Sequence, residues 1–251
     1  MLKSFAITIL LLLGGVGCNS NSTAYPGAQP YPGPQPYPGS QSILSPNGYP
    51  GPETAPAPQP KPASAAQQFF DAADEAYKSG NVDLAIADYT QAIEANPKLV
   101  EAYYNRAIAY EDKGDMNRAV ADYTMAIDID PKYARAYYNR GILYYQRGNL
   151  DQAIADFDKT IELLPQASRA YNNRGIAYDD QGKVDQAIAD YTQAIKLDSG
   201  FADAYLNRGL AYREKGAKEQ AISDFDTYLK LAPDSPRRAQ VEQWLTELKS
   251  P

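Results

Sequence analysis

A pattern of 34 residues recurs five times along the chain and constrains most of what it can fold into. The second copy, residues 100–133, reads VEAYYNRAIAYEDKGDMNRAVADYTMAIDIDPKY. Residues 134–167, 168–201 and 202–235 repeat it closely, and residues 66–99 form a looser first copy. A fixed period of this length is typical of a solenoid, in which each unit buries its apolar face against its neighbours.

Helix-breaking residues recur at two fixed places in the repeat. Glycine permits a turn with positive φ, and proline ends the helix that precedes it. The turn glycines are Gly80, Gly114, Gly148, Gly182 and Gly216. The prolines are Pro97, Pro131, Pro165 and Pro233, with Ser199 in the fourth copy. Each copy is therefore predicted to contain two helices of about a dozen residues separated by a glycine turn.

Between these breaks the apolar residues follow a helical period. In the second copy Tyr103, Ala107 and Tyr110 share one face of the first helix. The eighth position of the repeat is small, which predicts that two helices cross closely there. It is occupied by Ala107, Gly141, Gly175 and Gly209 in the second to fifth copies.

These features resemble the tetratricopeptide repeat family, and the match extends over all five copies. It includes an aromatic residue at position 4, Gly or Ala at position 8, Ala at position 20 and an aromatic residue at position 24. The resemblance implies an all-α fold, a right-handed superhelical solenoid of five helix pairs. Residues 236–251 place Val241, Trp244 and Leu245 on one helical face, which predicts a helix that caps the last repeat.

Charge and residue content argue against several classes of function. The chain carries 24 basic and 31 acidic residues, a net charge of −7, which argues against nucleic-acid binding. It contains no His and a single Cys, so neither a zinc site nor catalysis by histidine is expected. No nucleophile motif, phosphate-binding loop or pair of catalytic acids stands out from the repeat pattern. We therefore predict a protein that is not an enzyme and needs no cofactor or metal.

Residues 1–18, MLKSFAITILLLLGGVGC, have the layout of an export signal. The apolar run is too short to span a membrane comfortably. The single cysteine, Cys18, stands where the small residues end, and this resembles a bacterial lipoprotein signal. The resemblance implies acylation of Cys18 and an exported protein, lipid-anchored to a bacterial membrane and facing the periplasm or the exterior. Gly15 departs from the Leu usual at that position, and the alternative is an ordinary secretory signal.

Residues 19–65 are rich in Pro and carry only two charges, Glu53 and Lys61. The triplet Tyr-Pro-Gly begins at Tyr25, Tyr31, Tyr37 and Tyr49. Such a composition cannot bury a core, so we predict a disordered linker with polyproline II character and a reach of up to about 140 Å. We interpret it as a tether. The alternative is a ligand for aromatic grooves or for a cell-wall polymer.

An asparagine recurs at position 6 of the first helix, which the family resemblance places on the concave surface. It is present as Asn105, Asn139, Asn173 and Asn207. An amide can bind the N–H and C=O groups of an extended peptide together, so we predict a peptide groove lined by this ladder. The alternative is that the amides satisfy neighbouring helix turns. The other predicted groove residues are Tyr104, Tyr138, Arg135 and Arg169, of which the arginines could receive a carboxylate.

Opposite charges recur at two further positions. Position 7 holds Arg106, Arg140, Arg174 and Arg208, and position 23 holds Asp88, Asp122, Asp156, Asp190 and Asp224. Arginine binds carboxylates through two parallel hydrogen bonds, so we predict an ion-pair ladder that joins helices within or between repeats. We favour this structural role over ligand binding.

Together these features predict a membrane-tethered scaffold that binds a protein or peptide partner in its concave groove. The alternative is a structural subunit of a bacterial envelope complex, such as one that places outer-membrane proteins, pili or cell-wall enzymes. In that case the convex face would carry the contacts, and changes in the groove would leave the complex intact.

Overall fold

The computed structural model describes residues 64–250, which form eleven α-helices and no β-strand. Each repeat contributes one odd-numbered and one even-numbered helix, and α11 follows the last pair. The helices are α1 Ala65–Lys78, α2 Val82–Ala95, α3 Val100–Asp112, α4 Met116–Ile129, α5 Ala134–Gln146, α6 Leu150–Leu163, α7 Ser168–Asp180, α8 Val184–Leu197, α9 Ala202–Glu214, α10 Lys218–Leu231 and α11 Arg238–Lys249.

The predicted export signal, residues 1–18, lies outside the described residues, as does nearly all of the predicted linker, residues 19–65. None of the helices in residues 64–250 combines the length and apolarity that crossing a membrane requires.

Each helix pair is joined by a turn that depends on glycine. In the third repeat Gly148 has a φ of 75°, in a region that glycine enters without steric cost. The N–H of Gly148 donates to the carbonyl of Tyr145, and the N–H of Asn149 donates to that of Tyr144, both at 2.9 Å. These bonds satisfy the last carbonyls of α5 and reverse the chain into α6.

The core of each repeat is an aromatic ring that packs against a small residue. Phe157 is 1% exposed and Tyr191 is fully buried. A Cβ placed on Gly141 would stand 2.9 Å from Cε1 of Phe157, and one placed on Gly175 would stand 2.7 Å from Cε1 of Tyr191. The close helix crossing predicted for position 8 is therefore present, and the ring at position 24 fills it directly.

Consecutive helices pack against one another throughout the array, and the odd-numbered helices also meet across repeats. Helix α5 contacts α7, and α7 contacts α9. The odd-numbered helices are therefore the more closely spaced layer of the solenoid, and we call the surface that they form the inner face. The predicted all-α solenoid is confirmed for the residues that the structure describes.

Helix α11 covers the end of the last repeat. Val241 is fully buried and Leu245 is 7% exposed. The ring of Trp244 lies 5.6 Å from that of Phe225, and the guanidinium of Arg213 lies 5.3 Å from the centre of the Trp244 ring. The capping helix predicted from the apolar face of residues 236–251 is therefore present.

Candidate functional site: the inner face

The asparagines predicted to line a groove lie in the junctions between repeats. Asn105, Asn139, Asn173 and Asn207 are only 8%, 6%, 3% and 1% exposed. Each donates from Nδ2 to the repeat before it: Asn105 to Asp74, Asn139 to the hydroxyl of Tyr104, Asn173 to that of Tyr138 and Asn207 to Asn172, at 3.0–3.2 Å. A buried amide that is already bonded in this way is not presented to a ligand, which favours the structural interpretation of the ladder.

The tyrosines predicted for the groove are buried as well. Tyr104 is 3% exposed and Tyr138 is fully buried, and their hydroxyls accept the bonds from Asn139 and Asn173. Positions 5 and 6 therefore form the floor of the inner face and tie each odd-numbered helix to the next. Because Tyr104 and Tyr138 at position 5 are large, they fill the junctions and leave the asparagines beside them little exposed surface.

Of the eight predicted groove residues, the two arginines keep the most exposed surface. Arg135 and Arg169 are half-buried at the starts of α5 and α7, and Arg135 forms no ion pair within residues 64–250. The equivalent residue of the fifth repeat is Asp203. Burial raises the pKa of its carboxyl, and Arg237 at the start of the cap opposes that rise. The cationic part of this row therefore lies in the third and fourth repeats.

The ladder of arginine and aspartate is present, and its pairs lie within repeats. In the third repeat Nε and Nη2 of Arg140 donate to the two carboxylate oxygens of Asp156, both at 2.8 Å. The pairs are Arg106–Asp122, Arg140–Asp156, Arg174–Asp190 and Arg208–Asp224. The four aspartates are 4–6% exposed, so their charges are compensated by arginine rather than by water. The first copy has no arginine at position 7, and its Asp88 accepts from Gln91 instead.

Each of these arginines also reaches the preceding repeat. Nη1 of Arg140 donates to Oγ1 of Thr124 at 3.0 Å, and its guanidinium lies 5.7 Å from the ring centre of Tyr137 and 5.6 Å from that of Tyr144. The equivalent acceptors at the other junctions are Thr90, Asp158 and Thr192. We call this set of contacts the arginine clasp. Because one side chain joins α4, α5 and α6, it holds neighbouring repeats at a set angle.

A second row of polar contacts links the glycine turns of neighbouring repeats. A residue just before each turn glycine bonds to an acidic or amide side chain of the repeat before it. The pairs are Lys113–Asp83, Arg147–Asn117, Gln181–Asp151 and Lys215–Asp185. These side chains are largely exposed, so each contact contributes less than about 1 kcal/mol and supports the clasp rather than replacing it.

A carboxyl that the repeat pattern does not reveal lies between the second and third repeats. Tyr123 donates its hydroxyl hydrogen to Glu111 and accepts a bond from Nδ2 of Asn139 at 3.1 Å. Burial raises the pKa of Glu111 to about 7; the bond from Tyr123 opposes this rise and the charge of Asp112 adds to it. Burial likewise raises the pKa of Tyr123 well above its ordinary value. Sequence reasoning missed this cluster, whose carboxyl has the largest pKa shift among the acidic side chains of residues 64–250.

The sequence contains a signal that could have identified this pairing. Tyr89 of the first repeat donates to Asp74 at 2.5 Å in the same manner. Position 24 is Tyr in the first, second and fourth repeats, each of which has an acid at position 9 or 12. It is Phe in the third and fifth repeats, which have no acid at either position. A tyrosine hydroxyl at position 24 is therefore found in the same repeats as an acid at position 9 or 12.

Within residues 64–250 the acidic side chains do not assemble into a metal centre. In the part of the chain that the structure describes, no group of three or more His, Cys, Asp or Glu side chains is placed to hold a metal ion. The buried carboxylates described above are bonded instead to arginine or to tyrosine hydroxyls.

Comparison with known proteins identifies the repeat. Two models of a family described as tetratricopeptide repeat match the chain, one at residues 70–134 and 172–236 and the other at residues 106–172. Among solved structures, the chain is 29% identical to the MamA protein over 70% of this chain and 95% of that one, with a TM-score of 0.64. No curated protein matches the chain significantly.

Two more distant structures show the fold alone. YrrB, described as a TPR protein with an unusual peptide-binding site, is 21% identical over 71% of this chain and 92% of that one, with a TM-score of 0.63. PilF of Pseudomonas aeruginosa is 19% identical over 74% of this chain and 92% of that one, with a TM-score of 0.60.

Replacing Glu111 with Gln is expected to remove a pH dependence of stability. The folded-state pKa of Glu111, about 7, lies above its ordinary value of 4.5, so folding disfavours the ionised form. The native chain should therefore gain stability, on the order of 2 kcal/mol, as the pH falls from about 8 to about 5. Urea denaturation at the two pH values should show this gain in the native chain and its loss in Glu111→Gln.

The matched control for this experiment is Glu94→Gln, which changes an exposed carboxyl on α2. It should keep the pH dependence of the native chain. If Glu111→Gln keeps it as well, Glu111 is not the group that titrates.

Proposed function

Because the chain belongs to the tetratricopeptide repeat family, we propose that residues 66–235 form a scaffold that holds a segment of a partner protein against the inner face. The observation that carries this proposal is the arginine clasp, which recurs at four successive junctions. A surface held in one shape before its partner arrives avoids part of the ordering cost of binding. The peptide-binding site named for YrrB, which shares this fold, supports the same use of the repeats.

The proposed contacts lie at the rim of the inner face, because its floor is filled by buried side chains. Arg135 and Arg169 begin inner helices of adjacent repeats, and packed helices stand about 8–10 Å apart. A guanidinium binds a carboxylate more strongly than it binds a neutral acceptor. We therefore expect the bound segment to carry acidic side chains or a terminal carboxylate where it crosses the third and fourth repeats.

Selection from a library of random 12-residue peptides, with the full chain as bait, tests this function. Acidic peptides should be enriched, and isothermal titration of an enriched peptide should weaken about 10-fold or more in Arg135→Glu/Arg169→Glu. The matched control is Lys196→Glu/Lys230→Glu, which makes the same charge change at exposed positions of the outer helices α8 and α10. The control should bind as the native chain does.

Two results of this selection would contradict the proposal. One is the absence of any enriched peptide. The other is an enriched peptide that loses affinity equally in both double variants, because binding would then not depend on the inner face. A stable complex from the bacterial envelope that survives Arg135→Glu/Arg169→Glu would favour the alternative, an assembly subunit that uses its outer face.

We also propose that the scaffold is exported and tethered to a membrane through Cys18. This proposal rests on the apolar leader that precedes the single Cys and on the Pro-rich stretch of residues 19–65 that follows it. Several acyl chains on one residue anchor a protein stably, because each buried CH₂ contributes roughly 0.8 kcal/mol.

The intact mass of the protein isolated from host membranes tests the tether. The expected mass begins at Cys18 and includes acyl groups, and Cys18→Ser should abolish both the acyl mass and the membrane association. An unmodified Cys18 in a soluble fraction would overturn the tether and leave the binding scaffold as a free exported adaptor.

A further inference from the structure

The first repeat keeps the aspartate of the arginine clasp but lacks its arginine. Asp88 stands at position 23, where each later repeat has the aspartate that binds the clasp arginine. Position 7 of the first repeat is Ala72, whose side chain is exposed. Four copies of the repeat therefore contain the complete ion pair, and the first copy contains only its acceptor.

The two helices of the first repeat cross in the same way as those of the later repeats. Ala73 and Tyr89 occupy positions 8 and 24, lie in one apolar cluster, and are 0% and 2% exposed. In the later repeats this crossing stands directly beside the pair of arginine and aspartate, which hold positions 7 and 23. Ala72 therefore lies across from Asp88, as the clasp arginines lie across from their aspartates.

The carboxylate of Asp88 has no cationic partner within residues 64–250. Its Oδ1 accepts a hydrogen bond from Nε2 of Gln91 on the same helix at 2.9 Å. A carboxylate oxygen has two lone pairs, so this bond leaves both oxygens of Asp88 able to accept further donors. Asp88 is half-buried, whereas the four paired aspartates are only 4–6% exposed. Part of its side chain is therefore at the surface, where a donor from outside the chain can reach it.

An aromatic ring is also in place for a guanidinium. In the later repeats the ring at position 4 lies with its centre 5.5–5.8 Å from the guanidinium carbon of the clasp. The first repeat has Phe69 at this position, and its side chain is half-buried. The second ring of the clasp, the tyrosine at position 11, is replaced by Ala76. The first repeat thus offers a guanidinium one carboxylate and one aromatic face.

The outer side of the first repeat gives access to this position. In the later repeats the clasp arginine also reaches back to the preceding repeat. Within residues 64–250 no helix precedes α1, so an arginine of another protein can approach from this side. Residues 66–99 carry six acidic and two basic side chains, and this excess attracts a cationic partner.

We propose that Asp88 and Phe69, with the room left by Ala72, form an acceptor site for an arginine side chain of a partner protein. The arginine binds the carboxylate of Asp88 and packs on the ring of Phe69, which completes a fifth clasp at the start of the array. Lysine does not fit equally well, because an ammonium group cannot form two parallel hydrogen bonds to a carboxylate. The site goes beyond the proposed function, since it uses neither Arg135 nor Arg169.

The variant Ala72→Arg tests whether the site fits a guanidinium. The new arginine should form the missing ion pair within the chain, so the midpoint of thermal unfolding of the full chain should rise by about 3 °C. Ala72→Lys is the matched control, with the same charge but without bidentate pairing, and its midpoint should rise by less than about 1 °C. Equal midpoints in the two variants would contradict the site.

A peptide selection tests the binding of an arginine from another molecule. The library consists of 12-residue peptides with a fixed central Arg and random flanks, and the native full chain is the bait. By isothermal titration, an enriched peptide should bind at least about 10-fold more weakly to Ala72→Arg and to Asp88→Asn. Ala95→Arg and Glu94→Gln are the matched controls, because they make the same charge changes at exposed positions near the end of α2. Both controls should bind as the native chain does.

The same peptide with Lys in place of the central Arg should also bind about 10-fold more weakly. The proposal is overturned if no peptide is enriched, if the Lys peptide binds equally well, or if the controls weaken binding as much as Ala72→Arg does. Self-association of the chain that Ala72→Arg abolishes would overturn it too, because the arginine would then come from a second copy. Arg135→Glu/Arg169→Glu should not weaken this binding, so the result is independent of the selection of acidic peptides.

Discussion

The structure depends on an arginine whose guanidinium bonds to side chains of two neighbouring repeats. At the junction between the second and third repeats, Arg140 binds both oxygens of Asp156, reaches Thr124 and lies between the rings of Tyr137 and Tyr144. A short helix pair cannot bury its apolar surface alone and needs a fixed neighbour. The clasp orients that neighbour, because the bidentate ion pair with Asp156 fixes the guanidinium, whose Nη1 then donates to Thr124 of the preceding repeat. Arg106, Arg174 and Arg208 make equivalent contacts at the other three junctions, so the clasps together set the shape of the inner face.

Rigidity of this kind determines where a ligand can bind. The side chains at positions 5 and 6 join neighbouring inner helices and are not presented to a ligand. The bond from Asn173 to Tyr138 is an example. The proposed binding surface is therefore at the rim, where Arg135 and Arg169 lie.

The sequence predicted the repeated turns and ion pairs but missed the burial of the asparagine ladder and the pairing of Glu111. Gly148 and its equivalents predicted the turns, and the spacing of Arg140 and Asp156 predicted their ion pair, because a 34-residue period aligns identical residues with identical neighbours. Periodicity gives the direction of a side chain but not its depth, so the repeat pattern did not reveal that Asn139 and Tyr138 are buried. Glu111 was missed because its partner, Tyr123, is an ordinary aromatic core residue in the repeat pattern.

The coupling energy between Arg140 and Asp156 tests the central claim most directly. Urea denaturation of Arg140→Leu, Asp156→Leu and the double variant measures it, with the exposed pair Lys215 and Asp185 as the control cycle. Each single change at the clasp should cost about 3–5 kcal/mol, because it leaves a buried charge without its partner. The double change should cost no more than either single change, whereas the control coupling should stay below about 1 kcal/mol. Additive costs at Arg140 and Asp156 would contradict the claim that their ion pair fixes the guanidinium that joins the two repeats.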